Sequence, residues 1–100
     1  MPTVKVEFHR LADKDCDDAF KYYQERSTDT ALRFKDAVDA AVRRIAQAPE
    51  SLPPMSGPNR WVRVQHFRYI LVFRPRGPDE MVVVAVAHTS RRPGYWRRRE

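Results

Sequence analysis

Residues 28–49 read TDTALRFKDAVDAAVRRIAQAP. Ala31, Phe34, Val38, Ala41, Ile45 and Ala48 recur at alternating spacings of three and four, which draws one continuous apolar stripe along a helix. Ala37 and Val42 widen the stripe, while Arg33, Asp36, Asp39 and Arg43 take the opposite side. Ser27, Thr28 and Asp29 are capping residue types, and Pro49 cannot continue a helix. Upstream, Ala12, Cys16, Ala19 and Tyr23 share a face with Phe20 beside them. This spacing predicts a shorter amphipathic helix over residues 13–25, with Asp13 as its N-cap and Asp15, Asp17 and Asp18 in its first turn, where the helix dipole favours anions. Two helices separated by about three residues form an antiparallel hairpin whose leftover stripe must cover a sheet.

The strands lie on either side of that hairpin. Val4, Val6 and Phe8 alternate with Lys5, Glu7 and His9, the period of a half-buried strand. Residues 49–59 contain four prolines and one glycine and read as an irregular loop. Val62 and Val64 alternate with Trp61, Arg63 and Gln65, and Tyr69–Phe73 is a buried-strand run. Pro75-Arg76-Gly77-Pro78-Asp79 is a turn, and Met81–Ala87 is an unbroken valine-rich run expected of a central strand. The order is β-α-α-β-β-β. We expect an α+β fold in one domain over residues 1–100: an N-terminal strand at or near an edge, a helical hairpin, and a three-stranded antiparallel meander, in an antiparallel sheet.

Charge is distributed unevenly. Residues 1–59 hold nine Lys/Arg and ten Asp/Glu, a net of −1, whereas residues 60–100 hold ten Arg and three acids, a net of +7. Every base in the second part is arginine, whose planar fork pairs bidentately with phosphate or carboxylate. This asymmetry points to an anionic partner. No apolar run reaches the ~20 residues a membrane helix needs. Lys5 and Glu7 sit where a signal peptide would be apolar, and the single Cys16 has no disulfide partner. A cytoplasmic protein with no membrane association is expected.

Little of the usual cofactor chemistry is in place. His9, His66 and His88 are isolated, Cys16 has no partner at ligand spacing, and three scattered glycines make no phosphate loop. Neither metal nor cofactor is expected. The informative stretch is His88-Thr89-Ser90-Arg91-Arg92-Pro93-Gly94-Tyr95-Trp96-Arg97-Arg98-Arg99, where a central strand ends in arginines and aromatics. Arginines can hold phosphates, aromatics can stack on bases, and His88 and Tyr95 can move protons. The same Tyr95 and Trp96 can equally fold the tail back onto the core. Arg63, opposite the inward Val62 and Val64, belongs with His88, Arg91 and Tyr95 on one surface.

The chain resembles toxins of the RelE/ParE superfamily from bacterial type II toxin–antitoxin modules, the plasmid stabilisation type. The resemblance covers nearly the whole sequence. It rests on the first strand ending near Phe8, Tyr22-Tyr23 late in the first helix, Ala31-x-x-Phe34 opening the second, and Pro49 after it. Arg63 and the pair Phe67–Tyr69 precede Ile70-Leu71-Val72-Phe73, and His88-x-x-Arg91-x-Pro93-x-Tyr95-Trp96-x-x-Arg99 closes it. The resemblance implies a growth-inhibiting toxin neutralised by an acidic cognate antitoxin, with which it forms a hetero-oligomer. It implies one of two modes of action. ParE-like members poison DNA gyrase, a binding function for which Arg63, Arg68, Arg91, Arg92, Trp96 and Arg97 are the candidate contacts. RelE-like members cut mRNA on the ribosome without metal, for which Arg63, His88, Arg91 and Tyr95 are the candidate catalytic groups. RelE-like members often place an arginine directly after the strand aromatic, where this sequence has Ile70, with Arg68 on the other side of Tyr69; their upstream lysine pair is absent too. The gyrase-type function is the one favoured, and a degenerate member that binds only its antitoxin is the third alternative.

Overall fold

A computed structural model describes residues 3–91 and 94–99 of the chain. The described elements are β1 (Lys5–Phe8), α1 (Arg10–Gln24), α2 (Thr28–Gln47), a 3-10 turn (Pro49–Ser51), β2 (Arg60–Val64), β3 (Tyr69–Pro75), β4 (Glu80–His88) and a second 3-10 turn (Tyr95–Arg98). The β-α-α-β-β-β order and the α+β class agree with the expectation. Ser27 caps α2, its hydroxyl accepting from the Thr30 N–H at 3.2 Å.

The first helix starts earlier than the acidic run predicts. His9 is the N-cap: its Nδ1 accepts from the Leu11 N–H at 3.0 Å, which leaves Asp13 inside the helix. Imidazole supplies the acceptor that the sequence reading assigned to a carboxylate.

The four strands lie in the order β1-β4-β3-β2. β2, β3 and β4 form the antiparallel meander, and β1 and β2 are the two edge strands. The expectation of a wholly antiparallel sheet is corrected here, because β1 runs parallel to β4, with Lys5 opposite Glu80 and Phe8 opposite Val83. The helical hairpin is the crossover that a parallel pairing requires.

Both faces of the sheet are covered. Phe34, Val38, Ala41 and Ile45 of α2 pack on the inner face against Val62, Val64, Leu71, Phe73, Val83 and Val86. Full burial of each of the larger side chains contributes about 1.5–3 kcal/mol. The outer face holds Ile70, Val72, Val82, Val84, Ala85 and Ala87, covered by Trp96 with Met55 and Tyr95. A bulge explains how β4 serves both. Val72 pairs with Ala85 and Phe73 with Val83, so Val84 is unmatched and Val84 and Ala85 face outward together. Inward-facing Val83 and Val86 are therefore three residues apart rather than two.

Loop 52–59 lies along the free edge of β2. Trp61 N–H donates to Pro53 C=O at 3.1 Å, and the Arg60 guanidinium donates to Leu52 C=O at 2.6 Å. Prolines here blunt an edge that would otherwise be open to pairing. Among the described residues, no helix is long and apolar enough to cross a membrane.

Candidate functional site

Two turns at one end of the sheet build the site. The β2–β3 turn places His66 in the left-handed region at φ 72°, which sends Phe67 inward against Tyr23 and Phe34, with ring centroids 5.1 and 5.2 Å away. Phe67 N–H donates to Val64 C=O at 3.2 Å. The chain leaving β4 is clamped to this turn, because Thr89 N–H donates to Arg68 C=O at 2.9 Å. Arg68 and Arg91 are thereby held on neighbouring loops.

Beside these turns a concavity of about 600 Å³ opens on the outer side of the sheet. Met55, Trp61, Ile70, Ala87 and Trp96 supply its apolar lining; Arg63, Arg68 and Arg91 are its charged residues, with Phe67, His88 and Thr89 completing it. No acid lines it. Arg63 reaches it because alternation along β2 puts Val62 and Val64 inside and Trp61 and Arg63 outside. A second hollow adjoins it, sharing Phe67, Arg68, His88 and Arg91 and adding Tyr22, Tyr23, His66, Tyr69 and Ser90.

The structure thus brings Arg63, Arg68, His88 and Arg91 together. His88 pairs with Tyr69 across the strands, its ring edge-on at 5.0 Å. Ser90 N–H donates to His88 Nδ1 at 3.1 Å, and the Ser90 hydroxyl lies 2.7 Å from the same nitrogen. A backbone amide can only donate, so Nδ1 is the acceptor and the neutral ring carries its proton on Nε2.

Tyr95 is placed differently. Its ring lies between two guanidiniums, Arg91 at 4.4 Å and Arg99 at 5.0 Å from the centroid, and edge-on to Trp96 at 5.1 Å. Its hydroxyl is buried and has no hydrogen-bond partner among the described residues. Burial first, and Asp15 second, push its acidity below that of an ordinary tyrosine, raising the pKa. Trp96 is 4% exposed and belongs to the outer core, so the tail folds back onto the sheet. Arg97 is exposed and lies outside the concavity, with its side chain close under Gly94. Gly94 has φ 86°, a conformation that asks for glycine; an added Cβ would stand 3.0 Å from Arg97 Nε, the movable end of an exposed side chain. Arg92 lies outside the described residues.

One feature escaped the sequence reading. Arg99, grouped there with the tail arginines, forms a partly buried ion pair with Asp15 of α1. The available signal was an acid three residues after Ala12 and four before Ala19 on an apolar helix face, where a carboxylate needs a partner.

Residues 6–93 match the family model described as the ParE toxin of the type II toxin–antitoxin system, parDE. Toxin ParE2 from two Mycobacterium tuberculosis strains, CDC 1551 / Oshkosh and ATCC 25618 / H37Rv, is 31% identical over 93 residues, covering 91% of this chain and 87% of the relative. A chain of the chromosomal ParDE TA system from P. aeruginosa superposes with a TM-score of 0.76 at 18% identity, covering 87% of this chain and 97% of that one, which shows a shared fold. The chain belongs to the ParE toxin family of type II toxin–antitoxin systems.

Proposed function

We propose that this toxin acts by binding a protein target, with DNA gyrase as the target that the ParE-like resemblance implies, and that the arginine-rimmed concavity is its working surface. A cognate acidic antitoxin, expected from the family, neutralises it by covering that surface in a toxin–antitoxin complex, in the cytoplasm. The supporting observation is the state of Tyr95. Cleavage of RNA by 2′-hydroxyl attack needs an acid and a base in contact with the reacting oxygens. The Tyr95 hydroxyl is enclosed with no hydrogen-bond partner among the described residues, and Tyr95 is not among the described residues lining the concavity. The His88 Nδ1 already accepts the Ser90 amide and is turned into its own loop. Three arginines around an apolar floor are instead suited to binding.

Inducing the chain without its antitoxin and pulse-labelling DNA and protein separately tests this reading. DNA synthesis is expected to stop first. Translation failing first, with cleaved messages, would establish the ribonuclease alternative.

A further inference from the structure

The concavity combines two features that constrain its occupant. Its floor is apolar, built by Trp61, Ile70 and Trp96, and its volume of about 600 Å³ lies inside the range of sites that enclose a bound group. Its rim carries Arg63, Arg68 and Arg91, all exposed, and among the described residues none of the three is paired with a carboxylate. Guanidinium is weakly hydrated and pairs bidentately with carboxylate or phosphate, so the rim is matched to an anionic group and the apolar floor beneath it to an adjoining apolar one.

We propose that the concavity takes an acidic protein segment that inserts one large apolar side chain between Trp61, Ile70 and Trp96 while its flanking carboxylates pair with Arg63, Arg68 and Arg91. This rests on the reading of the concavity as the toxin's working surface. The floor buries the anchor and excludes water from the ion pairs around it, an arrangement in which a central residue dominates binding. A protein segment fits better than nucleic acid, whose strands stack successive bases on several open aromatic faces. Beside Trp61 the concavity offers only Phe67, packed against Tyr23 and Phe34, and Trp96 among the described residues. Trp96 is 4% exposed, and the Tyr95 ring is flanked by two guanidiniums. Tyr22, though half exposed, has the Arg26 guanidinium 3.7 Å from its ring centroid.

The test uses the full chain and labelled synthetic peptides of one acidic composition that differ only at the central residue: tryptophan, leucine, alanine or serine. A tryptophan peptide with every acid changed to its amide and a single-stranded oligonucleotide of equal charge complete the set. In fluorescence anisotropy the tryptophan and leucine peptides are expected to bind at least tenfold more tightly than the alanine and serine peptides. The amide peptide should lose at least tenfold, and Trp61→Ala or Arg63→Ser, each verified as folded, should erase the preference. Equal binding by all four acidic peptides, no binding by any, or tighter binding of the oligonucleotide would overturn the proposal. Growth arrest by the same variants separates the two readings. If both lose toxicity while the peptides show no anchor preference, only the anchor proposal fails; if both stay fully toxic, the working surface lies elsewhere and both fail.

Discussion

Asp15 and Arg99 complete the edge of β4 where β1 ends. The Arg99 guanidinium meets the Asp15 carboxylate at 2.6 and 3.3 Å and donates to Val84 C=O at 3.0 Å, while the same carboxylate accepts the Val86 N–H at 3.1 Å. β1 pairs with β4 only as far as Val83, so these backbone groups would otherwise have no strand beside them. The pair is 14% and 12% exposed and, with Arg74 donating to Arg99 C=O, pins the tail that carries Tyr95 and Trp96. Arg99→Ala should cost about 2 kcal/mol, because it leaves a partly buried carboxylate with the Val86 amide but without its cation. Asp15→Ala should cost a similar amount, and the double variant clearly less than the sum, as read from urea unfolding. Additive losses would mean the two side chains are not coupled.

Val38 of α2 is 5% exposed in the inner core, and Leu32 on the same helix is 52% exposed. Val38→Asp should unfold the domain, since an unpaired charge in that position costs several kcal/mol. Leu32→Asp should leave the circular dichroism spectrum and melting temperature nearly unchanged. A cooperative, well-folded Val38→Asp protein would refute the packing described.

The Cys16 thiol is pushed up to about 11 from an ordinary 9.0 by desolvation first, then by Asp17, Asp13 and other nearby carboxylates. Alkylation by iodoacetamide at pH 8 should therefore be roughly a hundredfold slower in the folded chain than in urea, since only the thiolate reacts. The folded state holds this proton more tightly than the unfolded one. Its contribution to stability is full below pH 9 and falls as pH rises through 9 to 11. A Cys16→Ala chain should lack that portion of the alkaline loss in a pH series of unfolding curves.

His66 adopts φ 72° in the turn that aims Phe67 inward. Left-handed backbone costs a non-glycine residue roughly 1–2 kcal/mol, and glycine returns part of that as unfolded-state entropy. His66→Gly should raise stability by about 0.5 kcal/mol, whereas a β-branched His66→Val should lower it by roughly 1–2 kcal/mol. A thermal melt of both variants checks the sign of each.

The hairpin and the element order were legible because they are local. The Phe34–Val38–Ala41–Ile45 stripe, Ser27 and Pro49 each act within a few residues. What escaped depends on contacts distant in sequence or on alternation hidden by uniform composition. In Met81–Ala87 every residue is apolar, so no pattern reveals that Val84 and Ala85 share a face. The parallel pairing of β1 depends on which edge the hairpin delivers it to, and the Asp15–Arg99 pair spans 84 positions. On the candidate surface, alternation in β2 correctly set Arg63 opposite Val62 and Val64, while the same tail composition suited both an exposed Trp96 and the buried one found.

The central claim is that the arginine-rimmed concavity binds a protein target and that no proton passes through Tyr95. Titrating purified chain into a gyrase supercoiling assay, with translating ribosomes and mRNA in parallel, tests it most directly. The wild-type chain is expected to inhibit supercoiling, and so is Tyr95→Phe, which loses only a buried hydroxyl with no partner among the described residues and should be as stable or about 1 kcal/mol more so. An Arg63→Ser/Arg91→Ser chain should inhibit at least tenfold more weakly while keeping its fold. Undisturbed supercoiling, with mRNA cleaved by the wild-type chain and intact with Tyr95→Phe, would contradict it.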